Sequence, residues 1–278
     1  MRVGSLCTGI AGLEHGLELA GVNVEPVFVS DIDEGSNAWL EANMPDIPNL
    51  GDFTALDALP PVDLLTAGFP CQPLSSAGQR KGVTDDRWIF DHIARLLGRG
   101  MANGRPFVFL ENVPDLLTST REGGDPMGRV VRRLAEVGYC IDWGCLPASA
   151  VGAPHRRNRW WGLAYPADPN DRRQFRRNPQ RLLTCVERPH AARSCRVAWG
   201  PYERAIKRWE SVVGRAAPEP QIDGRLSPAF TEWMMGYPRG WVTDTLPDRR
   251  QALHVLGNAV VPQCAAEAFT QLVERAGS

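Results

Sequence analysis

Val3-Gly4-Ser5-Leu6-Cys7-Thr8-Gly9-Ile10-Ala11-Gly12-Leu13 opens the chain and decides its architecture. Val3 to Cys7 reads as a short strand. Thr8 to Gly12 is a glycine-punctuated turn, and Leu13, Leu17 and Ala20 then mark one face of a helix. A strand that runs through a glycine loop into a helix lets a nucleotide-like ligand approach the backbone at the helix start. Only Gly9 and Gly12 fit the G-x-G-x-x-G spacing, and a tight turn without a ligand reads the loop equally well. Asp31 lies nineteen residues past Gly12, at the end of a second strand from Val24 to Ser30. An acid at that place can hold ribose hydroxyls.

The same rhythm continues outward from this unit. A helix is expected from Gly35 to Met44, and buried strands at Val62 to Ala67 and Phe107 to Leu110. Ile89, Ile93, Leu96 and Leu97 keep helical spacing between them. Tyr139 to Leu146 and Arg159 to Ala164 read as late strands. Strands alternating with helices predict an α/β fold, a parallel sheet covered on both faces.

After Tyr165 the composition changes. Residues 168 to 208 are rich in arginine, including Arg172, Arg173 and Arg176, with few acids to balance them. We expect three parts: residues 1–165 as the main domain, 166–250 as a small basic lobe, and 251–278 as a C-terminal helix opening at Asn258 and Pro262. Trp199, Trp209 and Trp233 are read as core residues of that lobe.

The chain of 278 residues carries a net charge of −1, so any nucleic-acid surface must be local. Its seven cysteines include no Cys-x-x-Cys pair, which argues against a zinc ribbon, and no metal site is expected. No signal peptide and no apolar run of about 20 residues is present. A soluble, cytoplasmic protein with reduced thiols is expected.

Several residues could carry chemistry. Cys71, in Gly68-Phe69-Pro70-Cys71-Gln72-Pro73, follows a strand and a turn, at the strand end where open α/β sheets keep their sites. A lone cysteine is more often a core residue. The polar loop after it, with Ser75, Gln79, Arg80 and Lys81, reads as a lid. Glu111 ends the next strand; leaving an apolar run, its carboxyl should be partly desolvated and favour the protonated form. Arg157 and Arg159 alternate along an extended segment and point to one face, suited to a phosphate or carbonyl oxygen, although the segment taken alone reads better as a solvated basic edge strand. Asp52, in Gly51-Asp52-Phe53, could accept from an adenine amino group, or simply close a surface turn.

Taken in order, these segments resemble the DNA (cytosine-5) methyltransferase family, of bacterial or phage type. The resemblance covers the glycine loop, Asp31, Gly51-Asp52, Gly68 to Gly82, Asp86-Arg87, Glu111-Asn112-Val113 and Pro154 to Arg159. It continues through Arg225-Leu226-Ser227-Pro228 to Gly236-Tyr237-Pro238, and Leu256-Gly257-Asn258-Ala259-Val260. Pro70-Cys71-Gln72 and Glu111-Asn112-Val113, about forty residues apart, are the most specific pieces.

The resemblance implies a Rossmann-like S-adenosylmethionine-dependent methyltransferase domain with a target-recognition lobe. It implies Cys71 as nucleophile on C6 of a flipped-out cytosine, Glu111 on N3 and the exocyclic amine, and Arg159 supported by Arg157 on the carbonyl and phosphate. S-adenosylmethionine would be held by Leu6, Cys7, Thr8, Gly9, Gly12, Asp31, Ile32, Asp52, Phe53, Pro70 and Asn258. Double-stranded DNA would be held by the lid and the lobe arginines. A cognate restriction endonuclease and a monomeric state are also implied, for an enzyme encoded by a bacterial chromosome or a phage. No long N-terminal regulatory region is expected, which would speak against a multidomain eukaryotic form.

Three positions depart from the family pattern. Cys7 replaces an aromatic residue, Ala11 a common second glycine, and His155 a glutamine. Three rivals remain: an RNA cytosine-5 methyltransferase with the same motifs, a nicotinamide oxidoreductase with the same loop, and a catalytically dead DNA-binding relative.

Overall fold

In the computed structural model of the chain, residues 1–70, 88–102, 104–118, 124–168 and 197–277 are described. Six strands form one sheet: β1 (Arg2–Leu6), β2 (Glu25–Phe28), β3 (Leu64–Gly68), β4 (Phe107–Asn112), β5 (Tyr139–Pro147) and β6 (Asn158–Pro166), in the order β2-β1-β3-β4-β6-β5. Strands β1 to β4 pair in parallel. Around them lie α1 (Gly12–Leu19), α2 (Glu34–Asn43), α3 (Phe90–Gly98), α4 (Pro126–Glu136), α5 (Glu203–Val213), α6 (Pro228–Met234), α7 (Arg249–Asn258) and α8 (Pro262–Gly277). A separate hairpin joins β7 (Gln221–Ile222) to β8 (Arg225–Leu226).

The apolar runs of the central strands split their side chains between two cores. Leu64, Phe107, Phe109, Trp161 and Leu163 face one cluster, with Leu13 and Leu17 of α1 and Phe269 of α8. Leu65, Ala67, Val108, Leu110, Trp160 and Ala164 face the other, with Phe90 and Ile93 of α3 and Val130 and Leu134 of α4. Successive residues on a strand point to opposite faces, so a strand covered on both sides must be apolar at every position.

The expectation of a parallel sheet holds only for β1 to β4. Strand β6 is antiparallel to both β4 and β5 and inserts between them. The link from Pro147 to Asn158 contains only a single 3-10 turn, Ala148–Val151. A parallel crossover needs a dozen or more residues, so a link this short can only reverse the chain.

The C-terminal reading also needs correction. Asn258 does not open a helix; it ends α7, which Asp248 caps by accepting from the Gln251 N–H at 2.8 Å. Helix α8 starts at Pro262, where a missing N–H costs nothing. Trp209 and Trp233 are fully buried, and Trp199 packs against the same cluster as α1 and α8. Among the described residues, no helix is long and apolar enough to cross a membrane.

Helix α1 lies along α8. Gly16 permits this approach. A Cβ there would fall 2.4 Å from Ala265 Cβ and 2.9 Å from the Pro262 carbonyl oxygen. Behind α1, Glu14 is buried and accepts from the Thr66 hydroxyl of β3. Burial pushes its carboxyl above the usual 4.5, and the Thr66 hydrogen bond only partly opposes this.

Gly16→Ala should therefore cost about 1–3 kcal/mol through overpacking, read as a lower urea midpoint. Glu14 carries a pH signature as well. The native state holds its proton above the pH at which the unfolded carboxyl, near 4.5, releases it. Its stabilising contribution is complete below that pH and is lost as pH rises through the native value. Glu14→Gln, neutral throughout, should gain stability relative to the wild type from pH 4.5 to pH 8. A stability difference that stays flat over that range would refute the buried-carboxyl assignment.

Candidate active site

Loops at the carboxyl ends of β1 and β2 and the segment around Gly51 are stitched together by short polar contacts. The Gly9 N–H donates to Asp31 Oδ2 at 2.7 Å, and the Asp33 N–H donates to Asp31 Oδ1 at 2.9 Å. Thr8 and Ser30 exchange backbone and hydroxyl hydrogen bonds. Ser30 Oγ donates to the Gly51 carbonyl at 2.6 Å, while Asn49 Oδ1 accepts from the N–H groups of Gly51 and Asp31. Asp52 caps the next turn by accepting from the Thr54 N–H and hydroxyl, which hold its carboxyl below the usual range.

Within the glycine loop, Cys7, Gly9 and Ala11 all adopt left-handed backbone, with φ of 51°, 60° and 55°. For the two non-glycine residues this conformation costs about 1–2 kcal/mol each. The two departures from the family pattern in this loop therefore fall on strained positions. The Cys7 thiol is pushed up to about 12, first by burial and then by Asp31 and Asp52, so it stays neutral.

These loops form one wall of a cavity of about 500 Å³. Of the residues expected to hold a cofactor, Cys7, Thr8, Gly9, Gly12, Asp31, Ile32, Asp52, Phe53, Pro70 and Asn258 line it. Leu6 does not: its side chain is fully buried in the core beneath the sheet. The Ile32 side chain is 74% exposed, an apolar surface beside the Asp31 carboxylate. Each Asp31 oxygen keeps lone-pair capacity beyond its one N–H partner. A carboxylate, an apolar face and a glycine loop together fit a ribonucleoside such as the adenosine of S-adenosylmethionine.

The opposite wall holds Glu111, Arg157 and Arg159. The antiparallel register Glu111↔Trp161 explains their meeting. Glu111 shares a face with Phe109, and Arg159 shares a face with Trp161, and both faces look toward α1. Arg159 Nε lies 2.9 Å from Glu111 Oε1. Burial raises the Glu111 carboxyl above 4.5, and the Arg159 and Arg157 guanidiniums oppose this without cancelling it.

Arg157 acts differently. Its Nη2 donates to the carbonyls of Gly257 (2.8 Å) and Ala259 (2.6 Å), fixing the junction of α7 and α8 against the cavity. Burial, reinforced by Arg159, lowers its pKa to about 10. His155 Nε2 lies 3.0 Å from the Met234 carbonyl and ties this arm to α6. Burial lowers its pKa, which keeps the ring neutral and its Nε2–H a donor.

Cys71, Ser75, Gln79, Arg80, Lys81, Arg172, Arg173 and Arg176 lie outside the described residues. The turn leading to Cys71 is described as far as Pro70. Asn112, itself buried, donates from Nδ2 to the Phe69 carbonyl at 3.0 Å and holds that turn. Sequence reasoning missed several other lining residues, Asp33 and Val255 among them. Asp33 caps α2 by accepting from the Ser36 N–H, and its Oδ2 meets His254 of α7 at 3.2 Å. Val255 sits on α7. The helical spacing of Ala252, Val255 and Leu256 after a capping Asp248 was the signal available for it.

A family model described as C-5 cytosine-specific DNA methylase matches residues 1–188. The Type II methyltransferase M2.BsuMI of Bacillus subtilis (strain 168) is 35% identical over 164 residues, covering 57% of this chain and 40% of that protein. M.NgoBV of Neisseria gonorrhoeae is 36% identical over 166 residues, 55% of this chain and 38% of that protein. The chain thus matches about two fifths of the length of these relatives. The solved structure of S. pombe Dnmt2 methyltransferase covers 100% of both chains at 18% identity, with a TM-score of 0.64. That of Entamoeba histolytica methyltransferase EhMeth covers 99% of this chain and 98% of its own at 15% identity, with a TM-score of 0.66. These two likenesses concern the fold. The match of the family model over residues 1–188, on a chain whose glycine loop and Glu111–Arg159 pair share one cavity, places it: this protein belongs to the C-5 cytosine-specific DNA methylase family.

Proposed function

We propose that the protein methylates C5 of cytosine in double-stranded DNA, with S-adenosylmethionine as methyl donor. One observation carries the reading. A single cavity holds the Asp31 glycine loop on one wall and the buried Glu111–Arg159 pair on the other, with Pro70 at its edge. When bound, S-adenosylmethionine supplies an electrophilic methyl group at its sulfonium.

The chain's own residues do the rest. The Cys71 thiolate adds to C6 of the cytosine, and the electron pair of the 5,6 double bond shifts toward C5. Glu111, whose carboxyl burial raises above its usual value, donates in its protonated form to N3 and so accommodates the charge that develops on the ring. Arg159 orients Glu111 and binds the ring carbonyl. After methylation the C5 proton leaves to water and its electrons expel Cys71 from C6, which restores the double bond. A base stacked in a duplex cannot reach such a pocket, so the cytosine must be flipped out.

On this reading, residues 1–165 carry cofactor and chemistry, 166–250 read the DNA, and 251–278 complete the cofactor pocket. The names of the Type II relatives extend the proposal to a cognate restriction endonuclease. A monomer in the bacterial cytoplasm suits the remaining expectations.

Cys71→Ala should abolish methyl transfer from labelled cofactor while leaving cofactor binding within about twofold, because the thiol acts on the base alone. Duplex DNA carrying 5-fluorocytosine should give a covalent adduct that survives denaturation, since fluorine cannot leave C5 as a proton does. An active wild-type enzyme that forms no such adduct would refute the covalent step. Transfer to RNA but not to duplex DNA would overturn the substrate.

A further inference from the structure

The peptide between Ile10 and Ala11 is held from both sides. The Ala11 N–H donates to the Thr8 carbonyl at 3.1 Å. The Ile10 carbonyl accepts from the indole N–H of Trp241 at 3.0 Å, across 231 positions of sequence. Ala11 follows at φ 55° and ψ 37°, a left-handed conformation that an alanine does not choose by itself. The orientation of this one peptide decides which way the loop turns before α1 begins.

Trp241 is itself firmly seated. Its ring stacks on His15 at 4.8 Å and on Trp39 at 5.4 Å between centroids, and it lies 5.8 Å from Tyr237. Its carbonyl accepts from the Trp39 indole. Tyr237 in turn donates from its hydroxyl to the Val260 carbonyl at 3.0 Å, and Val260 lines the cavity. Nothing in the proposed chemistry uses Trp241, which touches the glycine loop at Ile10 without lining the cavity.

We propose that Trp241 is a positioning residue for the cofactor loop. Its indole N–H holds the Ile10 carbonyl in the orientation that a left-handed Ala11 requires, and so presents Cys7 to Gly9 to S-adenosylmethionine. The inference rests on the proposed cofactor. It makes a segment far along the chain responsible for cofactor affinity.

The test is calorimetric binding of S-adenosylmethionine to the wild type and four variants. Trp241→Phe keeps the ring and removes the donor; it should weaken binding about fivefold, the value of one hydrogen bond. Glycine accepts left-handed backbone freely, so Ala11→Gly should bind like the wild type and should restore the affinity of Trp241→Phe to within about twofold. Trp209→Phe is the control. It removes an equivalent indole bond, to the Trp233 carbonyl at 2.8 Å, without touching the loop, and should leave affinity unchanged. The inference fails if Trp241→Phe binds normally, if Ala11→Gly gives no rescue, or if Trp209→Phe loses as much. A wild type that binds no S-adenosylmethionine would overturn the cofactor reading, and this inference with it.

Discussion

The close crossing of α1 over α8 is the constraint on which the cavity depends. Gly16 lets the two helix backbones meet, and that contact brings the C-terminal segment back over the start of the chain. The α7–α8 junction then reaches the glycine loop, and Arg157 locks it there through the Gly257 and Ala259 carbonyls. Without this closure the glycine loop would face solvent on one side. Asn258 and Val260 would not line a pocket. The helix contact, remote from any reacting atom, thus sets the shape of the site.

The two walls of the cavity are built by different physical means. The loop wall is a polar net in which Asp31, Asn49 and Ser30 satisfy backbone groups that the strand ends leave unpaired. It also stores strain at Cys7 and Ala11, offset by surrounding hydrogen bonds. The opposite wall is the strand edge of β4 and β6, where sheet register alone sets Glu111 against Arg159. A carboxyl buried there has a raised pKa, yet it stays close to a guanidinium that orients it. Such a group can donate a proton in hydrogen bonding without losing its place. Both walls use the strand-end location typical of open α/β sheets.

The reversal at β5 and β6 serves the same end. If β6 had run parallel to β4, Arg159 would lie at the far end of the sheet from Glu111. The short link through Gly152 forces the antiparallel return and carries the basic residues to the carboxyl edge of β4. His155 and Arg157, just before the strand, are then free to tie α6 and the α7–α8 junction to that edge. One chain reversal therefore supplies a cavity-facing arginine and two structural anchors.

Local sequence determined the strands, their burial and the glycine loop, because periodicity and turn chemistry act within a few residues. Glu111 and Arg159 were legible as individual residues at strand ends, and the Gly68-Phe69-Pro70 turn as a presenting turn. Leu6 illustrates the limit: Cys7 beside it lines the cavity, while the Leu6 side chain is fully buried in the core with Phe28. The antiparallel insertion of β6 was not legible, since strand direction follows from link length and sheet neighbours rather than strand composition. The break between α7 and α8 was read as one helix, although Asp248 and Pro262 each carry a start signal. The tie from Trp241 to Ile10 lay beyond local reading altogether. Contacts across more than two hundred positions depend on how helices pack over the sheet, and only the tertiary structure decides that.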